Sequence, residues 1–201
     1  MGDDEFIHQT LWQRVRFGRG QAAQHVFEEV RSHDSQRVMV IATKRAQDQA
    51  LQVTSLIDVS VQWDEVTQHV PAKLAVRATM AAREAGIDLI VSIGGGSTTG
   101  LAKAIALDTA IPIIAVPTTY SGSEATNMWG MTKDDTKNTG LDDRVLPTAV
   151  IYDADLVATL PMDLTVASAL NAMAHCIDSL WAPNADPINQ VNDLEGARAM
   201  A

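Results

Sequence analysis

Three consecutive glycines at 94–96 form the part of the chain best suited to contact an anion. They follow the apolar run 87–93 and precede a helical pattern. The N-terminus of a helix offers unpaired backbone N–H groups and a partial positive charge, and glycines let a phosphate reach them because they carry no side chain. A tight turn with a helix cap is the alternative interpretation. We predict that the turn holds the pyrophosphate of a nucleotide through Gly94, Gly95, Gly96 and Ser97.

The spacing around the three glycines excludes other familiar loops. A Walker loop ends in Gly-Lys-Ser or Gly-Lys-Thr, but Gly100 is followed by Leu101. The common dinucleotide fingerprint needs a third glycine at position 99, and a nucleophile elbow needs a glycine two residues after Ser97. Thr99 occupies that place in both patterns. What remains is an unusual triple-glycine turn, and we expect the Ser97 and Thr98 hydroxyls to add donors where its helix begins.

A second polar loop follows another apolar run. Pro117, Thr118 and Thr119 come directly after residues 111–116, a run typical of a buried strand. Ligands of open α/β sheets bind at the carboxyl ends of strands, so two loops that end neighbouring strands share one crevice. We predict that Thr118 and Thr119 offer hydroxyls to a ribose or phosphate, with a capped polar loop as the alternative.

A third group of polar side chains recurs along the helical pattern 162–181. The spacings of three, four and three residues place four of them on one face: Ser168, Asn171, His175 and Asp178. Asn171 and His175 could jointly face a substrate or a metal ion, and a solvated helix face is the alternative. We expect no metal, because a catalytic site needs about three protein ligands and the Asn171 amide is a poor substitute for a carboxylate.

The adjoining face of the same helical pattern is apolar. It carries Leu170, Met173, Ala174, Ile177 and Trp181. Cys176 follows His175 and therefore points about 100° away from it on a helix. We interpret Cys176 as a core residue rather than a nucleophile.

Composition narrows the classes of partner and compartment. The 201 residues are 46% hydrophobic, which is enough for a full core, and the formal net charge is −10. This charge argues against a nucleic-acid partner, which needs clustered Lys and Arg. The single cysteine excludes an intrachain disulfide, the N-terminal residues lack a secretory signal pattern, and no apolar run approaches the roughly 18 residues that span a bilayer. We expect a cytoplasmic protein without a membrane partner.

Strands and helices alternate along the first three quarters of the chain. Strands are predicted near 15–20 (an edge strand), 37–42, 59–63, 87–93, 111–116 and 149–153, and helices near 21–31 and 46–53, from Pro71 to Gly86 and after the glycines. One face of the helix after Pro71 carries Leu74, Ala78, Ala81 and Ala85. Residues 127–132 and 136–141 predict a hairpin around Lys133, Asp134 and Asp135, and the acidic pairs 134–135 and 142–143 are interpreted as solvated turn residues.

This pattern predicts an α/β fold with an open, mostly parallel sheet. Two long helical patterns, 162–181 and 188–201, follow Pro161, and the second reaches the last residue without a stop signal. We predict a dinucleotide-binding α/β domain at 1–160 and, at 161–201, the first helices of a truncated C-terminal helical domain.

The motifs as a set resemble the iron-containing alcohol dehydrogenase superfamily, and within it the maleylacetate reductase branch. The resemblance to the superfamily rests on Ser92–Lys103 and Val116–Thr126. The resemblance to the branch rests on residues 129–137, Arg144–Pro147, Val150–Asp153, Asn171–Cys176 and Ala182–Ile188. It covers nearly the whole chain from Arg14 onward.

The resemblance implies a fold like those of dehydroquinate synthase and the iron-containing alcohol dehydrogenases, with an active site between a nucleotide-binding domain and a helical domain. It implies hydride transfer from NADH or NADPH to the carbon–carbon double bond of maleylacetate, giving 3-oxoadipate in aromatic-compound degradation. By position, Gly94–Ser97 would meet the pyrophosphate, Thr118 and Thr119 the nicotinamide side, and Lys137 a cofactor ribose. Asn171 and His175 would serve catalysis. The expected partners are a small-molecule substrate and a second copy in a homodimer.

Two positions depart from the pattern of the metal-dependent alcohol dehydrogenases. Those enzymes have aspartate at the place of Asn171, four residues before the histidine matched by His175, and the loss of this carboxylate fits a metal-independent branch. An enolate formed by hydride addition can be stabilised by hydrogen-bond donors without a Lewis acid. Thr43 stands where NAD-selective relatives carry aspartate, and Lys44 and Arg45 follow it, so we expect use of both NADH and NADPH.

Two other readings remain open. One is a metal-dependent alcohol dehydrogenase, which is disfavoured because Asn171 stands where those enzymes have aspartate. The other is a non-catalytic nucleotide-binding fragment that dimerises through its N-terminal edge strand. Members of the resembled family continue past residue 201, so we expect a chain that truly ends there to bind nucleotide weakly and to be inactive or impaired as a reductase.

Overall fold

The computed structural model describes residues 5–134, 136–183 and 185–201. The predicted turn residue Asp135, and Asn184 of the family-like motif, lie outside the described residues. The chain forms two compact units. The sheet unit is Gln13–Leu160, and the helical unit is Pro161–Ala201 together with the described residues before Gln13. The functional division at residue 160 stays a prediction.

A six-stranded, fully parallel sheet organises the sheet unit. Its order is β1-β8-β5-β4-β2-β3, with β1 Arg14–Phe17, β2 Val38–Ile41, β3 Val61–Trp63, β4 Leu89–Gly94, β5 Ile113–Pro117 and β8 Ala149–Tyr152. A separate antiparallel hairpin consists of β6 Met128–Lys133 and β7 Thr136–Leu141. The predicted open parallel α/β fold and the hairpin are confirmed.

Crossover connections join the parallel strands, as this topology requires. Four of them contain a helix, namely α1 Ala22–Ser32, α2 Gln47–Val53, α3 Ala72–Glu84 and α4 Gly96–Thr109. The connection from β5 to β8 contains the hairpin, and α5 Ala154–Val157 follows β8. The helical unit has α6 Met162–Ser179 and α7 Pro187–Met200. None of the helices in the described parts of the chain is both long and apolar enough to cross a membrane.

The strands are continuous apolar runs because both faces of the sheet are covered. Successive strand residues point to opposite faces, so Val40 packs with α1 and α2 whereas Met39 and Ile41 pack with α3 and α4. All four residues of β2 and all six of β4 are buried. This core fixes the strand ends from which the candidate site is built.

The buried face of α3 differs from the predicted one. The structure buries Leu74, Ala75, Ala78, Thr79 and Ala82. Ala81 and Ala85 are partly exposed. Contact with both the sheet and α4 widens the buried stripe toward positions 75, 79 and 82, whereas the alanine spacing alone drifts off that stripe.

The helical unit buries few side chains. Neither α6 nor α7 has a buried residue, and the predicted apolar face of α6 is exposed, with Leu170 at 60% and Trp181 at 74%. Cys176 is only half-buried, so its interpretation as a core residue is wrong. Its sulfur packs against the backbone of α7, where a Cβ placed on Gly196 would lie 2.7 Å from Sγ.

Candidate functional site

The two polar loops predicted separately meet at the carboxyl edge of the sheet. Strands β4 and β5 are neighbours, and Gly94 is in register with Pro117. The Thr118 N–H donates to the Gly94 carbonyl at 3.0 Å. The end of one strand is therefore tied directly to the loop that follows the other, as the crevice prediction requires.

Each glycine of the turn lies where a side chain would collide with a neighbour. Gly94 has φ +148°, and a Cβ there would lie 2.5 Å from Thr98 Oγ1. A Cβ on Gly95 would lie 3.0 Å from Thr119 Oγ1, and one on Gly96 would lie 3.2 Å from the Ser121 Cβ. The second loop thus lies directly on the glycine turn, and only a bare backbone fits beneath it.

Helix α4 presents open backbone donors at its N-terminus. It begins at Gly96, and no side chain caps it at Gly95. The Gly95 carbonyl accepts from the N–H groups of Thr98 and Thr99, so the N–H groups of Gly96 and Ser97 precede the first intrahelical bonds. A helix of this length carries a partial positive charge at that end. The turn is built to receive an anion.

One expected donor at this helix entry is not available. Thr98 is buried, with its hydroxyl against Gly94, so the expectation that it faces a ligand is wrong. Ser97 is only partly buried. Gly94 carries no side chain, and the Thr98 hydroxyl fills the space that a Cβ there would occupy.

Thr43 follows β2, which pairs with β4 on the side away from β5. It lines an open cleft of about 470 Å³ with Lys44, Arg45 and residues 64–67. The Glu65 carboxylate is held there by two hydrogen bonds of 2.6 Å from Arg77. Two cationic side chains, two carboxylates (Asp64 and Glu65) and the uncharged Thr43 therefore line this cleft.

Lys137 lies on the hairpin, opposite Thr132 and exposed. The hairpin is attached to the loop before α3, since the Thr132 N–H donates to the Val70 carbonyl at 3.1 Å. Val70 in turn packs on α4, where a Cβ on Gly100 would lie 3.0 Å from its Cγ2. The hairpin that carries Lys137 is thus linked to the helix that follows the glycine turn.

A buried polar cluster that the sequence analysis missed lies behind the glycine turn. Lys103 on α4 is 1% exposed, and its Nζ donates to the carbonyls of Thr126 at 2.6 Å and Met128 at 2.8 Å. Burial lowers the pKa of Lys103 to about 8, against the opposing effect of the Glu124 carboxylate. The available signal was a lone lysine within Leu101–Ala106, six consecutive residues that are otherwise apolar and all buried.

Glu124 forms the other half of this cluster and is 2% exposed. Its carboxylate accepts from the Tyr152 hydroxyl at 3.3 Å and the Ser121 hydroxyl at 3.4 Å. Burial, and then the charge of Glu124, raise the pKa of Tyr152 well above its ordinary value. The ring hydroxyl therefore stays a donor to this carboxylate.

Asn171 and His175 lie one turn apart on α6 in the helical unit, and both are exposed. Asp178 is exposed and Ser168 partly buried, so the four predicted polar positions do share an accessible face. The His175 carbonyl accepts from the Ser179 hydroxyl at 2.8 Å. The catalytic roles of Asn171 and His175 stay predictions.

Within residues 5–134, 136–183 and 185–201, no three or more His, Cys, Asp or Glu side chains are grouped so as to hold a metal ion. The expected absence of a metal stays a prediction.

Comparison with known proteins places the chain in a family. The family model for iron-containing alcohol dehydrogenase matches residues 13–154. The chain belongs to the iron-containing alcohol dehydrogenase family, a family of oxidoreductases.

Curated relatives within that family include maleylacetate reductases. The one from Pseudomonas sp. strain P51 is 45% identical over 98% of this chain and 56% of its own length. The one from Burkholderia cepacia is 43% identical over 97% of this chain and 56% of its own length. The chain thus spans about half the length of the curated relatives it matches.

Solved structures agree with this placement. An iron-containing alcohol dehydrogenase from Corynebacterium glutamicum superposes with a TM-score of 0.97 at 53% identity, over 99% of this chain and 56% of that one. A maleylacetate reductase from Agrobacterium tumefaciens gives a TM-score of 0.92 at 39% identity, over 98% and 57%. The predicted family resemblance is confirmed.

Proposed function

We propose that this chain is part of an NADH- or NADPH-dependent reductase that converts maleylacetate to 3-oxoadipate. The maleylacetate reductases at 43–45% identity support the substrate. One structural observation carries the nucleotide: an uncapped helix begins in a bare glycine turn, directly beneath the Thr119 and Ser121 side chains. The N–H groups of Gly96 and Ser97 are suited to neutralise the pyrophosphate.

The other cofactor contacts follow the sheet edge. Thr118 and Thr119 follow β5 on one side of the glycine turn and serve the nicotinamide side. Lys137 serves a ribose, and the Thr43 cleft receives the adenosine end. When bound, the reduced nicotinamide supplies the hydride. The protein's part is to fix the cofactor along the edge through donors that are already in place.

We also propose that the protein uses both cofactors. Thr43 brings no negative charge to the cleft, the Glu65 carboxylate is paired with Arg77, and Lys44 and Arg45 balance the remaining carboxylate of Asp64, which supports acceptance of a 2′-phosphate there. The affinities of NADH and NADPH should therefore agree within about a hundredfold, close to 3 kcal/mol, in a calorimetric titration. A larger preference for NADH would remove this proposal.

The reaction needs a group that stabilises the enolate formed by hydride addition. His175, with Asn171 one turn away, is proposed as the hydrogen-bond donor and proton source. In a complete enzyme, His175→Ala should lower kcat about 10²-fold or more. A loss of less than about threefold would leave His175 as a scaffold residue.

Two measurements separate this proposal from its alternatives. NADH is titrated into the 201-residue chain, and maleylacetate turnover is assayed with a complete enzyme that contains this sequence. Binding with turnover supports the reductase, and binding without turnover in the complete enzyme supports a nucleotide-binding module. Alcohol oxidation together with bound iron or zinc, measured by metal analysis, would favour a metal-dependent alcohol dehydrogenase.

A homodimer is proposed from the edge of the sheet. Strand β1 lies at the end of the strand order, and its Val15 and Phe17 are exposed. An exposed apolar edge strand is a surface that a second copy can cover. Sedimentation should show that the wild-type chain forms a dimer and that Phe17→Lys weakens it. A monomer mass for the wild-type chain at all concentrations would contradict the proposal.

A further inference from the structure

Lys103 connects the helix of the glycine turn to the segment that lies over that turn. It lies on α4, two turns after Gly96, with its ammonium group buried. Its donors reach Thr126 and Met128, which end the connection between β5 and β6. Two of the three acceptors are backbone carbonyls, so the contact holds the course of the chain rather than one side chain.

The connection between β5 and β6 comprises residues 118–127. A second buried charge, Glu124, holds its middle part. Glu124 accepts from Tyr152 at the end of β8, and its backbone carbonyl accepts from the Gln13 amide at 2.9 Å. Lys103 and Glu124 carry opposite charges and interact electrostatically. Burying charged groups is unfavourable unless they are paired and hydrogen-bonded, so removing either charge would leave the other without compensation.

The first part of the connection is the part that lies on the glycine turn. The contacts are made by Thr119 over Gly95 and by Ser121 over Gly96, each close enough to exclude a side chain on the glycine. A shift of the connection by even 1 Å would therefore open or close the space above the N–H groups of α4. Helix α4 thus carries both the proposed anion-binding N-terminus and the lysine that holds the connection over this N-terminus.

We infer that Lys103 is a positioning residue for the nucleotide: it holds residues 118–127 so that Thr119 and Ser121 meet the nicotinamide half of the cofactor above Gly95 and Gly96. This inference rests on the proposed function. Lys103 makes no contact with the cofactor itself. The adenosine end, in the cleft at Thr43, is independent of it.

The test compares two nucleotides on one pair of variants. Lys103→Met removes the buried donors, and Lys73→Met removes an exposed lysine on α3 as the matched control. Affinities of the 201-residue chain for NADH and for adenosine monophosphate are measured by calorimetry. Lys103→Met should weaken the binding of NADH at least tenfold and that of adenosine monophosphate less than twofold, because only NADH extends as far as the connection. Lys73→Met should change neither.

Hydrogen–deuterium exchange without ligand gives a second readout. In Lys103→Met, amides of residues 118–127 should exchange at least tenfold faster, while those of β2 keep their protection. If Lys103→Met does not fold, Lys103→Gln, which keeps an amide group as donor, is used in its place. Lys103→Gln should also weaken NADH more than adenosine monophosphate, with a smaller loss of NADH affinity than the one expected for Lys103→Met.

The outcomes separate this inference from the function on which it rests. A folded Lys103 variant with unchanged NADH affinity, or with equal losses for both nucleotides, would overturn the positioning role. A wild-type chain that binds neither nucleotide would overturn the proposed function instead.

Discussion

The sheet unit and the helical unit differ in how they are stabilised. In Gln13–Leu160 the strands of the sheet interior are buried from end to end, with helices packed on both faces. In the helical unit, α6 and α7 bury no residue, and they leave large apolar side chains such as Trp181 and Leu170 exposed. Apolar burial is the main favourable term in folding, so we expect the sheet unit to resist local opening more strongly than the helical unit.

Local stability is the most direct test of this difference. Amides in the middle of β4 and β5 should exchange about 10³-fold more slowly than those in the middle of α6, because strand opening requires loss of the core whereas helix opening exposes little new apolar surface. Hydrogen–deuterium exchange with mass spectrometry measures both in one experiment. Equal protection in the two regions would break the comparison.

Substitutions in the two units should separate binding from catalysis. Gly95→Asp places a carboxylate where the diphosphate docks and a Cβ 3.0 Å from Thr119 Oγ1. We expect NADH affinity to fall at least 10²-fold, near 3 kcal/mol. His175→Ala, on α6, should leave NADH affinity within twofold. Both affinities are measured by calorimetry. Normal NADH binding by Gly95→Asp would contradict the assignment of the glycine turn as the diphosphate site.

Two buried aspartates offer a matched pair across the units. Asp153 accepts from the N–H groups of Gly20, Ala22 and Asp155 at 2.8–3.0 Å. Asp186 caps α7 by accepting from Ile188 and Asn189 at 2.9 and 3.0 Å.

Replacing each aspartate by alanine compares their contributions. Asp153→Ala leaves buried donors unpaired in the sheet unit, so it should lower the free energy of unfolding by about 2–3 kcal/mol. Asp186→Ala should lower it by less than about 1 kcal/mol, because α7 can fray without opening the core. Denaturant titration followed by circular dichroism gives both values. Equal losses would show that the two units unfold together.

The smallest expected effect is a pH dependence that arises in the sheet unit. The folded-state pKa of Lys103 is about 8, below the 10.5 of an unperturbed lysine. The unfolded chain therefore binds more protons between these values, and stability rises with pH there. From pH 7 to 9 the gain is about 1.4 kcal/mol.

The difference between wild type and Lys103→Met isolates this gain. Glu124 and Tyr152 face the same cluster, but the raised pKa of Tyr152 acts only at higher pH and with the opposite sign. Denaturant titrations at pH 7, 8 and 9 measure it. The same pH slope in both proteins would refute the assignment to Lys103.

Much of the region around the glycine turn could be predicted from the sequence, because its signals are local. The apolar run, the glycines and the helical pattern occupy consecutive residues, and the rule about strand ends then joins Gly94 to Thr118. The hairpin was also readable, since two short strands flank a polar turn. These features need no knowledge of distant contacts.

The missed features depend on tertiary contacts. Lys103 is buried, with its ammonium group bonded to Thr126 and Met128. The apolar residues around position 103 indicate that this stretch is buried, but they do not indicate which segment covers the lysine. Thr98 is buried because its hydroxyl packs into the space beside Gly94, a contact that a list of residue types does not reveal. The helical spacing of Cys176 and its apolar neighbours correctly predicted α6. Helical spacing does not indicate whether another element covers the apolar face, and here these residues are not buried.

The tryptophans of the sheet unit give the molecule a built-in optical probe. Trp63 ends β3 just before the cleft that Thr43 lines, with its indole N–H bonded to the Glu65 carbonyl at 2.8 Å. Trp129 packs on Gly140 within the hairpin that carries Lys137. Because indole emission overlaps the absorption of reduced nicotinamide, excitation of these rings should sensitise coenzyme fluorescence. Phenylalanine at either position would then report which end of the coenzyme has docked.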